Sequence, residues 1–257
     1  MTIFDPYIQK IAEYVGALRS QGRRIRTCQS PLHSERLPIR VGPGANPGII
    51  LRGDTSVELG NPEVGSCSFL LLTDSPSTLN DGQITLAGPD IPESVGGSLP
   101  FGQVLMLGGS QLTEKDFETL QQIQFVGDQI EGYMMRGLSQ STWSRISTAG
   151  VARGLNFDLL GQALMAIYRA ASPKLESMEI VFVTSGKGDL VPLNGWSGQI
   201  QKIAREIVRQ NWKIKGYDID CLSDCSNCKD KSVCDEIKEV LLEKKLHEHA
   251  AGELQNE

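Results

Sequence analysis

The spacing at which apolar residues recur changes repeatedly along this chain, and that succession restricts its fold more than any other feature. Over residues 5–20, Ile8, Ile11, Val15 and Leu18 fall at the i, i+3, i+4 rhythm of an amphipathic helix. From residue 49 the texture turns to short segments bounded by turn residues. Strands are expected at 56–59, 66–73, 83–87 and 103–107, with Asn80-Asp81-Gly82 as a turn. Thr113 followed by Asp116 has the form of a capping box, opening a helix with Phe117, Leu120, Ile123, Val126 and Ile130 as its buried stripe. A second helix is expected at 158–171, through Leu160, Ala163, Leu164 and Ile167, and Ser172-Pro173 stops it. Within 177–184, Ile180-Val181-Phe182-Val183 is a continuous apolar run of the kind that strands show when both faces are covered. A third helix follows at 195–212, with Ile200, Ile203, Ala204, Ile207 and Val208 inward. Strands, then helices around one late strand, imply an α/β fold in which a mixed sheet is layered with helices, with α+β the alternative.

Proline and glycine punctuate this order. Pro31, Pro38, Pro43 and Pro47, with Gly42, Gly44 and Gly48, mark a connecting segment. The run Gly42-Pro43-Gly44-Ala45-Asn46-Pro47-Gly48 looks like a phosphate loop, but it has no lysine and its prolines remove N–H donors. The expected organisation is therefore an N-terminal helix and connector at 1–48, an α/β domain at 49–194, a helix and cysteine segment at 195–242, and a charged, fraying tail at 243–257. No apolar run approaches the ~20 residues that span a membrane. Residues 1–10 carry Asp5 and no apolar core, so no export signal is expected and the cytoplasm is the expected compartment. A net charge of −6 argues against general nucleic-acid binding.

Cys221, Cys225, Cys228 and Cys234 form a C-x3-C-x2-C-x5-C cluster, and the chain has six cysteines in all. Four converging thiolates complete a tetrahedral shell for zinc or bind an iron–sulfur cluster. Structural zinc usually uses two tight pairs a dozen or more residues apart, whereas this run-like spacing favours an iron–sulfur cluster, with [4Fe–4S] the expected type. Zinc is the alternative. Disulfides do not suit a reducing compartment. The other two cysteines, Cys28 and Cys67, have no evident role.

Charge is unevenly placed. No carboxylate lies between Glu131 and Asp158, where Arg136, Arg145 and Arg153 accompany Trp143. A second acid-free stretch, 14–34, holds Arg19, Arg23, Arg24 and Arg26. Such islands are either anion sites or solvated arginine faces. If 143–147 is extended, Trp143, Arg145 and Ser147 share one face, offering an indole for an adenine ring and a guanidinium for phosphate. Alternatively Trp143 is a core residue and Arg145 pairs with a carboxylate. Ser185-Gly186-Lys187-Gly188-Asp189 reads as a surface loop, and Asp54 with Glu58 as an exposed turn and strand face. His33, His247 and His249 offer no ligand set and no triad.

Several short segments together resemble the middle domain of carbon monoxide-dependent acetyl-CoA synthase. They are Gly53-Asp54 with Val57-Glu58-Leu59-Gly60, Asp81-Gly82-Gln83-Ile84 running into Gly88-Pro89-Asp90-Ile91, and Leu99-Pro100-Phe101-Gly102. Trp143-Ser144-Arg145-Ile146-Ser147 and Val151-Ala152-Arg153-Gly154, reaching Phe157, complete the set. The resemblance covers roughly 53–184 and implies an α/β layer domain. It also implies a coenzyme A approach surface at Trp143, Arg145 and Arg153, and an iron–sulfur protein of anaerobic one-carbon metabolism. The partners it implies are carbon monoxide dehydrogenase or a corrinoid protein. The family's nickel site lies in a following domain built on six cysteines with a C-G-C element, which the four cysteines here do not match. A zinc-bearing interaction module is the alternative, and a self-sufficient acyltransferase would need Cys28 or Cys67 to complete a metal site.

Overall fold

In the computed structural model, residues 2–30, 37–45, 49–123, 129–138 and 141–214 are described. The first helical rhythm forms α1 (Asp5–Ser20), followed by strand β1 (Ile25–Gln29), β2 (Thr55–Leu59), β3 (Ser66–Thr73) and β4 (Gln83–Ala87). Next come β5 (Ser98–Leu99), β6 (Phe101–Gly108), α2 (Phe117–Ile123), β7 (Tyr133–Leu138) and β8 (Ser141–Ser147). The described chain ends with α3 (Thr148–Ala152), α4 (Phe157–Ala171), β9 (Ser177–Val183) and α5 (Leu190–Ile214). No helix among the described residues is long and apolar enough to cross a membrane.

The strands form two mixed sheets. The larger has the order β1-β4-β9-β6-β3, and the smaller β5-β2-β8-β7. In the larger, β4 with β9 and β3 with β6 run parallel, while β1–β4 and β6–β9 are antiparallel. A mixed α/β fold was expected; its division into two sheets was not.

Helices cover both faces of the larger sheet. On one face, Phe157 of α4 joins Phe101 and Phe182 in an aromatic cluster, with ring centroids 5.0 to 6.1 Å apart. Gly161 lets α4 approach further, since a Cβ there would lie 2.7 Å from Ile84 Cδ1. On the opposite face, Gly102 lies beneath Leu190 and Leu193 of α5, because adjacent strand residues point to opposite sides. Tyr14 of α1 donates its hydroxyl to the Asp189 carbonyl at 2.5 Å and packs edge-on to Trp196. These positions explain why β3, β6 and β9 are buried along almost their whole length.

Three expectations shift. Helix α5 begins at Leu190 instead of 195, with Pro192 in its first turn, where a missing N–H costs nothing. The Thr113–Asp116 box forms, with Asp116 accepting from the Thr113 N–H at 2.9 Å; α2 is described over Phe117–Ile123, and Val126 lies outside the described residues. Ile130 is buried for another reason: it makes a β-bridge with Val41. Strand β1 lies in the arginine-rich stretch and carries no apolar alternation to betray it.

Two carboxylates tie distant segments together. Asp90, only 4% exposed, accepts from the N–H groups of Ile91 and Phe157 at 2.7 and 3.0 Å and pairs with Arg26 at 2.7 Å. It thus joins the end of β4 to the start of α4 and to β1. Glu131 receives the Arg40 N–H at 2.9 Å and the guanidinium groups of both Arg40 and Arg153, pinning the connector to the approach of β7.

Asp90→Ala should cost about 2 to 3 kcal/mol, because it strands two amides and a half-buried guanidinium. Asp90→Asn, which keeps the acceptor for both amides, should cost less. Urea midpoints at unchanged m-value report both. The Arg40 N–H, aided by the two guanidinium groups and opposed by desolvation, holds the Glu131 carboxyl down at about 2. An ordinary glutamate titrates near about 4.3. Its contribution is therefore complete above that value and is lost as the pH falls towards 2. Glu131→Gln should lower the urea midpoint at pH 7 and flatten its decline in acid; an unaltered acid limb would contradict this assignment.

Candidate functional site

Strand β8 is central in the smaller sheet, antiparallel to β2 on one side and β7 on the other. Alternation divides its residues between two environments. Ser144 and Ile146 point inward with Val57, Leu59 and Tyr133, all at most 1% exposed. Ser144 and Tyr133 share a hydrogen bond of 3.1 Å between their hydroxyls, and burial pushes the Tyr133 phenol up to about 12. Trp143 and Arg145 take the other face, as their spacing predicts. Ser147 is spent locally, accepting the Gly150 N–H at 2.9 Å to cap α3.

The register sets Arg145 between Glu58 of β2 and Met134 of β7. Its Nε donates to Glu58 Oε1 at 3.2 Å, and its Nη1 donates to the Ile50 carbonyl, also at 3.2 Å. The guanidinium carbon stands 4.7 Å from the centroid of the Trp143 ring, a cation–π contact. These bonds leave Nη2 without a partner among the described residues. The indole Nε1 of Trp143 is buried and has no hydrogen-bond partner there either. Ile50 also donates its N–H to Met134 Sδ at 3.4 Å, which fixes the 49–51 segment across the sheet face. Its neighbours Ile49 and Leu51 are 65% and 62% exposed. The result is an aromatic, arginine-bearing face with one uncommitted guanidinium nitrogen and a buried, unpartnered indole N–H, beside exposed aliphatic side chains. It suits a ligand that combines a flat or apolar body with an anionic group.

Arg153 does not join this pair. It ends α3 and is engaged by Glu131. The arginine islands are also less bare than the sequence implies. Arg23 pairs with Asp189 at 3.0 Å, Arg24 with Glu93 at 2.8 Å, and Arg26 with both Asp90 and Asp158. Each acid comes from a distant part of the chain, so a lack of nearby carboxylates did not mean a free positive patch. In the 185–189 loop, Lys187 donates to the Glu63 carbonyl at 2.9 Å and Ser185 to Asp189 at 2.5 Å, so its polar groups serve the fold.

Cys221, Cys225, Cys228 and Cys234 lie outside the described residues, as do His33, His247 and His249. Burial pushes the thiols of Cys28 and Cys67 up to about 12, Cys28 with the further influence of Asp158. Both are protonated thiols at neutral pH. Among the described residues no group of three or more His, Cys, Asp or Glu side chains could hold a metal ion. Glu58, expected from the sequence on an exposed strand face, is instead only 24% exposed and pairs with Arg145, 87 positions away. Only the strand pairing reveals it.

Comparison with known proteins bears on this arrangement. A family model described as the CO dehydrogenase/acetyl-CoA synthase complex beta subunit matches residues 37–188, more than half of the chain. Subunit beta 2 of the acetyl-CoA decarbonylase/synthase complex of Methanosarcina thermophila is 24% identical over 195 residues, covering 74% of this chain and 40% of that protein. The beta subunit from Methanothermobacter thermautotrophicus is 26% identical, covering 58% and 32%. The alpha subunit of carbon monoxide dehydrogenase/acetyl-CoA synthase from Moorella thermoacetica is 32% identical, covering 54% and 19%. The chain thus spans well under half the length of these relatives. The matched region contains both sheets' central strands and the Trp143–Arg145 face, and the chain belongs to the CO dehydrogenase/acetyl-CoA synthase complex beta subunit family.

Proposed function

We propose that this protein is a coenzyme A-binding subunit of a carbon monoxide dehydrogenase/acetyl-CoA synthase system. The observation that carries the reading is the Trp143–Arg145 pair, with a guanidinium nitrogen and a buried indole N–H both lacking partners among the described residues. Coenzyme A brings phosphate oxygens for the former and a purine or amide-bearing pantetheine arm for the latter. Ile49 and Leu51 supply exposed apolar surface beside them. Arg153, held by Glu131, contributes at most at the margin of such a site. The relatives' names describe subunits of a complex, which supports a protein partner, either the dehydrogenase or a corrinoid methyl carrier.

The four C-terminal cysteines extend this proposal: they hold an iron–sulfur cluster that serves electron transfer or shape. The run-like spacing supports that choice over zinc.

Calorimetric titration of anaerobically purified protein with coenzyme A should show saturable binding. Arg145→Ala should weaken it about 10- to 100-fold, the range for loss of one charge-assisted contact. Absence of binding to the unaltered protein would dispose of the coenzyme site. The same preparation should be brown, bleach on reduction, and yield iron and sulfide in metal analysis. A colourless protein containing zinc would instead support an interaction module with a structural metal.

A further inference from the structure

We propose that Glu58 is a specificity-determining residue of this face. It fixes the Arg145 guanidinium against Trp143 and offsets its charge, so that ligands are graded by the negative charge they bring. The inference rests on the coenzyme reading and adds to it the control of charge.

The carboxylate is placed by the fold. Glu58 and Arg145 are direct partners in the β2–β8 register, with side chains only 24% and 16% exposed. Glu58 Oε2 accepts a long bond of 3.5 Å from Asn61 Nδ2, which also donates to Ser98 Oγ at 2.9 Å. Asn61 is itself fixed, because its Oδ1 accepts the N–H groups of Glu63 and Val64 at 3.0 and 3.1 Å. The loop after β2 therefore holds the amide that steadies the carboxylate.

The consequence follows from the shape of a guanidinium. It can grip an oxyanion side-on through Nε and Nη2 or end-on through Nη1 and Nη2. Glu58 occupies the Nε corner, and the Ile50 carbonyl takes a hydrogen of Nη1. An incoming phosphate meets Nη2 and at most the second hydrogen of Nη1, beside a resident negative charge. Such a surface accepts an anionic ligand weakly and leaves the neutral part of that ligand to contribute most of the affinity.

Glu58→Gln separates the two roles, since its amide oxygen still accepts from Nε while the charge is gone. Calorimetry should show coenzyme A binding about tenfold more tightly to E58Q than to the unaltered protein. Neutral pantetheine should bind both within about twofold, the difference being electrostatic. The gain should vanish near about 1 M salt, where the screening length falls to about 3 Å. Ser98→Asp, on the exposed edge strand, should act in the opposite direction and weaken coenzyme A binding alone. It also provides the measurement if E58Q does not fold. Equal coenzyme A affinities in E58Q and the unaltered protein, or an equal gain for pantetheine, would overturn the role of Glu58 alone. Absence of coenzyme A binding to either folded protein would overturn the coenzyme site beneath it.

Discussion

Burying a carboxylate without a counter-charge costs several kcal/mol, and Asp90 is where this fold meets that cost. The residue is 4% exposed and sits just after β4, against the first residue of α4. Two backbone N–H groups and the Arg26 guanidinium satisfy it, and each comes from a different segment. Because Asp90 sits at the N-terminus of α4, the helix dipole adds to the same stabilisation. The Phe157–Phe101–Phe182 cluster then follows from the position of α4, and so does the close approach of Gly161 to Ile84. Loss of this carboxylate would loosen the layer that covers one side of the larger sheet.

Covering the larger sheet decides where a ligand can bind. One face lies under α4, and the other meets α5 at Gly102, with α1 held to the start of α5 through Tyr14. The smaller sheet has one buried face, built from Val57, Leu59, Tyr133 and Ile146. Its other face carries Trp143, Arg145 and Glu58. A central strand such as β8 holds its side chains more firmly than a loop can, since both edges are hydrogen-bonded. The candidate site is therefore rigid in backbone and adjustable mainly through the ion pair that crosses it.

What was legible in the sequence was local. The limits of α1, β3 and β4 follow from apolar spacing and turn residues, because burial imposes those periods directly. The sidedness of Trp143 and Arg145 could also be read, since it depends only on alternation. Strand β1 was not legible: Ile25-Arg26-Thr27-Cys28-Gln29 is an edge strand with no fully buried residue, so no period marks it. The partners of the arginines were illegible for another reason. Arg26 finds Asp90 64 positions away, Arg145 finds Glu58 87 away, and Arg23 finds Asp189 166 away. Charge read along the chain predicts an anion-binding island; charge read in space shows a surface already largely neutralised.

That difference changes what kinship with the acetyl-CoA synthase family can mean for this protein. The segments that resemble the family are mostly ones the fold uses internally. Gly88 has φ of +120°, and a Cβ there would collide with Thr184 and Ser185; Asp90 is the buried anchor, and Phe101-Gly102 lies between two helix layers. Such residues answer to packing, and a relative could share all of them while binding nothing. Trp143 and Arg145 are different, because the buried Nε1 and the free Nη2 gain nothing from the described fold. A buried donor left unpaired costs about 1 to 3 kcal/mol. A bound group that accepts from the buried Nε1 would recover that loss, with Nη2 as a further donor beside it, and the physical case for a ligand on this face rests on that recovery.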